Sequence, residues 1–197
     1  DTKHLILTCI SKKDAHINMD KWKAERISFM TCSFDKVTFE SKHKHIDFFD
    51  CTFKNVYNVC CVDINKGTIK DCSFKNCKAD KYARVIHLSN VEITNTEFKS
   101  CLCYDTSGQA LFLIENTIMS GCKFMSCKIQ CEYNSSSTSI VRATKGSLVQ
   151  NCSFNNCMVH GRGWYFPNTI EKHSILRLYK STQKDNRFTK CIGTEIK

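Results

Sequence analysis

The sequence predicts an all-β solenoid, on three observations. A Cys/Thr/Asn-x-Phe pattern recurs seven times, a short apolar strand precedes most copies at a fixed interval, and the spacing between copies starts near 20 residues. A period of that size, with two or three short strands in it, is one rung of a stacked structure. A helical repeat would show apolar residues three and four apart throughout, and these segments lack that spacing.

The copies are Cys32-Ser-Phe34, Cys51-Thr-Phe53, Cys72-Ser-Phe74, Thr96-Glu-Phe98, Cys122-Lys-Phe124, Cys152-Ser-Phe154 and Asn186-Arg-Phe188. Their first positions are 19, 21, 24, 26, 30 and 34 residues apart. Cys and Phe are two positions apart, so both point to one face of a strand. Three residues before each copy sit Phe29, Phe48, Ile69, Ile93, Met119, Val149 and, out of pattern, Gln183. Three residues after each Phe come Val37, Val56, Cys77, Cys101, Cys127, Cys157 and Cys191. All these columns are expected to face inward.

The second strand is Cys61–Ile64, Arg84–Leu88, Ala110–Leu113, Ser139–Ala143 and Ser174–Leu178. From its last inward residue the chain takes a constant five steps to the next strand: Ile64 to Ile69, Leu88 to Ile93, Leu113 to Ile118, Ala143 to Leu148. That constancy predicts a fixed corner. A second corner falls two residues after each Phe, at Lys36, Asn55, Asn76, Ser100, Ser126, Asn156 and Lys190. Asn and Ser tolerate corner geometry, which explains how the chain turns with 7 Gly and 1 Pro.

The Asp-Cys-Ser-Phe-Lys-Asn-Cys run at 71–77 and the Asn-Cys-Ser-Phe-Asn-Asn-Cys run at 151–157 resemble repeats of the right-handed parallel β-helix superfamily. The nearest likeness is to the short-rung repeats of polymorphic outer-membrane proteins and autotransporter passengers; a likeness to pectate lyases is more distant. The chain departs from that pattern in lacking Gly-Gly-Ala and in placing Cys where Asn, Ala or Val is common. The resemblance implies a right-handed parallel β-helix of about seven rungs over residues 24–197, with residues 1–23 as an N-terminal cap segment. It is a resemblance of fold and carries no activity by itself. The chain stops six residues after Cys191, which raises the expectation of a fragment of a longer solenoid, or of end-to-end contact with further rungs or a partner chain.

Fifteen cysteines in 197 residues suggest a disulfide scaffold at first sight. Ten of them fall on the two inward columns, where a free thiol serves as a small buried hydrophobe. Reduced thiols favour a reducing compartment, although Asn134-Ser-Ser and Asn151-Cys-Ser match the glycosylation acceptor pattern. Cys9, Cys60, Cys61, Cys103 and Cys131 lie off the columns. Cys103 and Cys131 are candidates for a disulfide or, with Cys101 and Cys127, for a zinc site. Their Cys-x-Cys and Cys-x3-Cys spacings are not the usual Cys-x2-Cys pairs. No cofactor is implied.

Function is less legible. The apolar fraction of 42% excludes a disordered chain, and no apolar run approaches a membrane span of about 20 residues. The interval from the last motif position to the next strand lengthens along the chain: 6 residues from Val56 to Val62, 9 from Cys77 to Ile86, 10 from Cys101 to Leu111, 14 from Cys127 to Val141 and 19 from Cys157 to Leu176. One corner thus carries progressively longer loops, a usual location for function on a rigid solenoid. The longest holds His160, Arg162, Trp164 and Tyr165, fit either to bind a ligand or to fold back over apolar rungs.

A second candidate is Lys54, Lys75 and Lys99, each one residue after its Phe on consecutive rungs. Stacked like charges repel, so the column is either a binding face for an anion or a solvated face. The net charge of +10 comes from 23 Lys and 6 Arg. Lys attracts anions as a point charge where Arg recognises shape, which favours electrostatic docking over specific nucleic-acid readout. The expected function is a non-catalytic scaffold or adhesin-like module with an acidic protein assembly or an anionic glycan as partner. The alternative is a lyase-like enzyme on acidic glycans, for which only Asp50 and Asp71 on adjacent rungs offer paired carboxylates.

Overall fold

The computed structural model describes residues 3–80, 83–105, 110–131, 138–161, 174–192 and 194–196. It is a parallel β-helix: strands stack rung on rung into long parallel sheets, with one 3-10 turn at Met19–Lys21 and no α-helix among the described residues.

Each rung starts on a first face, built from His4–Thr8, Arg26–Met30, His45–Phe49, Gly67–Lys70, Val91–Thr94, Ile118–Ser120, Leu148–Gln150 and Thr182–Lys184. The chain then turns onto a motif face that carries Cys-x-Phe: Thr52–Lys54, Ser73–Lys75, Glu97–Lys99, Lys123–Met125, Ser153–Asn155 and Arg187–Thr189. It closes on a return face of Val62–Ile64, Ile86–Ser89, Ala110–Glu115, Ser139–Thr144, Ser174–Tyr179 and Thr194–Ile196. The strand Ser33–Ser41 is long enough to serve both: Ser33–Asp35 pairs with Thr52–Lys54, and Phe39–Ser41 pairs with Val62–Ile64.

The segment expected as a cap is itself built as a rung. His4–Thr8 pairs with Arg26–Met30, and Ser11–Asn18 pairs with Ser33–Ser41. The first face therefore has eight strands, one more than the motif copies. In this rung Ile10 precedes the strand and Lys12 lies opposite Phe34. Lys12 is exposed there.

The inward columns stack in register. Phe34, Phe53, Phe74, Phe98, Phe124, Phe154 and Phe188 run through seven rungs. Their ring centroids are 4.4 Å apart for Phe53–Phe74, 4.6 Å for Phe124–Phe154 and 5.0 Å for Phe154–Phe188, with planes within 7° of parallel. Burial of each of the six rings from Phe34 to Phe154 contributes about 1.5–3 kcal/mol, and stacked pairs add about 0.5–1.5 kcal/mol. Return-face Phe39 and Phe112 pack edge-on or tilted against this column.

Corners are made by single residues in the left-handed region. The first corner takes Thr31, Asp50, Asp71, Asn95, Gly121, Asn151 and Asp185, with φ between 48° and 65°. The second takes Lys36, Asn55, Asn76, Ser100, Ser126, Asn156 and Lys190, as expected from sequence, with φ between 52° and 57°. Corner N–H groups stay in the inter-rung ladder, as in Asp50 to the Lys70 carbonyl and Asn76 to that of Lys99, both 3.0 Å. Gly67 enters its strand where no side chain fits: its φ is 146°, and a Cβ would lie 1.7 Å from the Ile46 carbonyl oxygen.

The third corner corrects the sequence phasing. Ile64, Leu88, Ile114, Ala143 and Leu178 form its inward column, so Ile114 replaces Leu113 and leads to Met119 instead of Ile118. Ile118 is exposed. After Ala143 the interval is six residues to inward Val149, because Lys145 and Gly146 both turn in the left-handed region.

Candidate functional site

The growing corner begins with a further sheet: Lys78–Ala79, Leu102–Asp105, Lys128–Cys131 and Met158–Gly161 stack in parallel. His160 lies on its last strand opposite Gln130. Arg162, Trp164 and Tyr165 fall outside the described residues.

Cys103 shares a buried column with Ala79, Ile129 and Val159, and its sulfur lies 3.9 Å from the Ala83 carbonyl. Cys131 pairs with Asp105, two positions further along the strand. Cys103 and Cys131 therefore belong to different columns. Cys101 and Cys127 point inward, and their thiols donate to the Phe74 and Phe98 carbonyls at 3.8 and 3.5 Å. The thiols of both inward columns are free and are spent on such rung-to-rung contacts. Burial pushes the Cys32 and Cys61 thiols up, and takes Cys60 to about 12 with help from the Asp63 charge. Among the described residues no group of three His, Cys, Asp or Glu is placed to hold a metal ion.

Asp50 and Asp71 occupy the first left-handed corner, in one column with Thr31, Asn95 and Asn151. Backbone conformation accounts for their residue type, since short polar side chains enter this region most readily. The glycosylation-pattern residue Asn151 is exposed at the same corner.

The lysine column is brought together. Lys54 pairs with Lys75 and Lys75 with Lys99, in parallel register one rung apart, about 4.8 Å in such a sheet. Lys13 and then Asp35 precede Lys54 in the column, and the Asp35 carboxylate accepts the Asn55 side-chain amide at 3.0 Å. Met125, Asn155 and Thr189 continue it. Lys75 and Lys99 are exposed, and Lys54 is half-buried. Among the described residues none of the three makes an ion pair, whereas Lys36 pairs with Asp14 and Lys145 with Glu115.

Around the second corner, sequence reasoning missed an adjoining column of Tyr57, Lys78, Leu102, Lys128, Met158 and Ile192. Lys78 and Lys128 are exposed, and the Lys78 ammonium lies 5.5 Å from the Tyr57 ring centroid. The only available signal was Lys78 and Lys128 sitting one residue after Cys77 and Cys127.

No protein-family model matches the chain, and no curated protein matches it. Among solved structures it is similar to the catalytic domain of a GH87 alpha-1,3-glucanase in complex with tetrasaccharides, at 8% identity and a TM-score of 0.23. The match covers 98% of this chain and 61% of that one, so the chain spans about three fifths of that domain's length. A likeness of this size carries no argument about activity.

Proposed function

We propose that the protein is a non-catalytic β-helix scaffold that docks on an anionic surface through Lys54, Lys75 and Lys99. The observation that carries this reading is their in-register stacking with no ion pair to a carboxylate among the described residues, although Asp35 lies beside Lys54 in the same column. Like charges side by side in a sheet cost stability in the isolated chain, and an anionic partner removes that cost. Lys78 and Lys128 widen the basic face around the corner. A rigid stack suits such a role because it fixes the charges at one repeat along its axis. An adhesin-like module, in the manner of the polymorphic outer-membrane-protein and autotransporter-passenger repeats that it resembles, fits this reading, with an acidic protein assembly or an anionic glycan as partner.

The test is a triple variant, Lys54→Gln with Lys75→Gln and Lys99→Gln, compared with the parent on immobilised sulfated polysaccharide and on polyglutamate. The parent is expected to be retained and to elute with salt, as surface electrostatics is screened. The triple variant is expected to elute at clearly lower salt. Equal elution of variant and parent on both matrices would overturn the proposal.

A further inference from the structure

We propose a second anion site, independent of the lysine column, at the corner where the return face meets the first face near the N-terminal end. It would take a phosphate or sulfate group.

A pocket of about 410 Å³ opens there, lined by Lys3, Arg26, His43, Lys44, His45 and Lys66, with Glu25 as the acid among them. Stacking assembles it from four rungs. His4, Arg26 and His45 share a column by strand register, and Lys66 joins it because Ile46 pairs with Gly67. Lys3, Glu25 and Lys44 precede that column by one residue, and the Lys3, Glu25 and Lys66 carbonyls accept the N–H groups of Arg26, His45 and Ile46 at 3.1, 3.1 and 2.9 Å.

Beneath the pocket lies Asp47, whose side chain is fully buried. Its Oδ2 accepts Arg26 Nε at 2.6 Å and the Ser28 hydroxyl at 3.0 Å, and its Oδ1 lies 3.0 Å from His45 Nε2. His4 Nε2 approaches the Ser28 hydroxyl at 2.9 Å from the next strand. A buried carboxylate thus pins Arg26 and His45 by one nitrogen each. The terminal amino groups of Arg26, the ones that fork onto an oxyanion, are left unspent among the described residues.

The wall that carries His43 and Lys44 is fixed as well. Asp20 accepts the Ser41 hydroxyl at 2.7 Å and the N–H groups of Lys42 and His43 at 2.9 and 3.1 Å. Lys3, Lys44 and Lys66 make no ion pair among the described residues. Three free ammonium groups and a pre-oriented guanidinium suit a multiply charged tetrahedral anion better than a single carboxylate. The group's source is either the free ion or an ester on a sugar.

Isothermal titration of the whole chain with inorganic phosphate, inorganic sulfate, a hexose phosphate and a hexose sulfate tests the site. Saturable binding at one site is expected, weakened at least about tenfold by Lys44→Gln with Lys66→Gln. Both lysines are on the surface side of the fold, so circular dichroism is expected to be unchanged. The Lys54, Lys75 and Lys99 triple variant is expected to bind as the parent does, which separates this site from the docking face. Tighter binding of an ester than of the free ion supports the site with a sugar-borne group, and equal binding supports it with the free ion. Absence of saturable binding by all four probes, or binding lost in the triple variant and kept in the Lys44 and Lys66 pair, overturns the proposal.

Discussion

The backbone N–H of Cys51 donates to the sulfur of Cys72 on the next rung, 3.4 Å away. The same bond recurs from Ile10 to Cys32 at 3.4 Å, from Cys72 to the Thr96 hydroxyl at 3.4 Å, and from Cys152 to the Asn186 side-chain oxygen at 2.9 Å. The N–H just after the first corner thus bonds a side chain one rung on instead of a ladder carbonyl. The column needs a small group that accepts it and donates onward. Cys72 donates to the Lys70 and Phe48 carbonyls at 3.2 and 3.4 Å, and Thr96 to that of Thr94 at 3.0 Å. This is why Cys, Thr and Asn interchange at one position.

The first prediction follows from that role. Cys72→Ser keeps both functions and is expected to cost within about 1 kcal/mol. Cys72→Ala leaves the buried Cys51 N–H unsatisfied and is expected to cost about 1–3 kcal/mol. Urea midpoints of the two variants check the order; an alanine variant as stable as the serine one would remove the role assigned to the sulfur.

What the sequence disclosed depended on phase. Cys-x-Phe columns alternate with polar residues, so period two fixes their faces, and the register agrees at every Phe. Residues 110–114 are apolar at every position, so no alternation phases them, and only pairing with Leu88 and Ala143 places Ile114 inward. The first rung escaped notice because Lys12 stands in the Phe column. The Asp47 network was invisible because His4, Arg26 and Ser28, and His45 with Asp47, come from three strands more than 15 residues apart, and their meeting is a consequence of rung length.

Thiol chemistry gives the second prediction. Cys9, off the columns, is exposed, Cys60 and the column thiol Cys191 are half-buried, and the remaining column thiols lie inside. Native labelling is expected at Cys9 first and Cys191 more slowly, with all 15 cysteines reacting in denaturant without reductant. A denatured count well below that number would mean disulfides. Cys60 adds a pH dependence. Its thiol is pushed up to about 12 from 9.0 by burial, so the folded chain holds the proton more tightly than the unfolded one. That contribution to stability is full below pH 9.0 and is lost as pH rises toward about 12. Urea midpoints measured across that window are expected to fall less for Cys60→Ala than for the parent.

A third prediction concerns Lys75, flanked by Lys54 and Lys99. Lys75→Gln is expected to stabilise the isolated chain by about 0.2–1 kcal/mol, the size of a cross-strand pair term. The gain is expected to shrink at high salt, where exposed charges are screened. A loss of stability at low salt would mean that the lysine stems pack more than their charges repel.

Lys36 sits in the left-handed corner at φ 57°, where its neighbours in the column use Asn55 and Asn76. Lysine pays there a conformational penalty that asparagine largely avoids. Lys36→Asn is expected to raise stability by about 0.5–1 kcal/mol, even though the exposed 3.6 Å pair with Asp14 is lost, because exposed pairs are worth little. Thermal midpoints decide it: a lower midpoint would mean that the pair outweighs the backbone.

The strongest single dependence is expected at Arg26. Its guanidinium, half exposed, is the fixed positive charge on the fully buried Asp47 carboxylate. Removing one partner of a buried pair leaves a charge without compensation and costs about 3–5 kcal/mol. Ser28 and His45 still donate to Asp47, and Arg26 is partly solvated, so Arg26→Gln is expected to cost less, about 2–3 kcal/mol. Adding Asp47→Asn removes the stranded charge while keeping an acceptor for Ser28, and should recover most of the loss. A double-mutant cycle in urea measures the coupling. Strictly additive losses would mean that Asp47 is held by Ser28 and His45 alone, and that Arg26 only covers it.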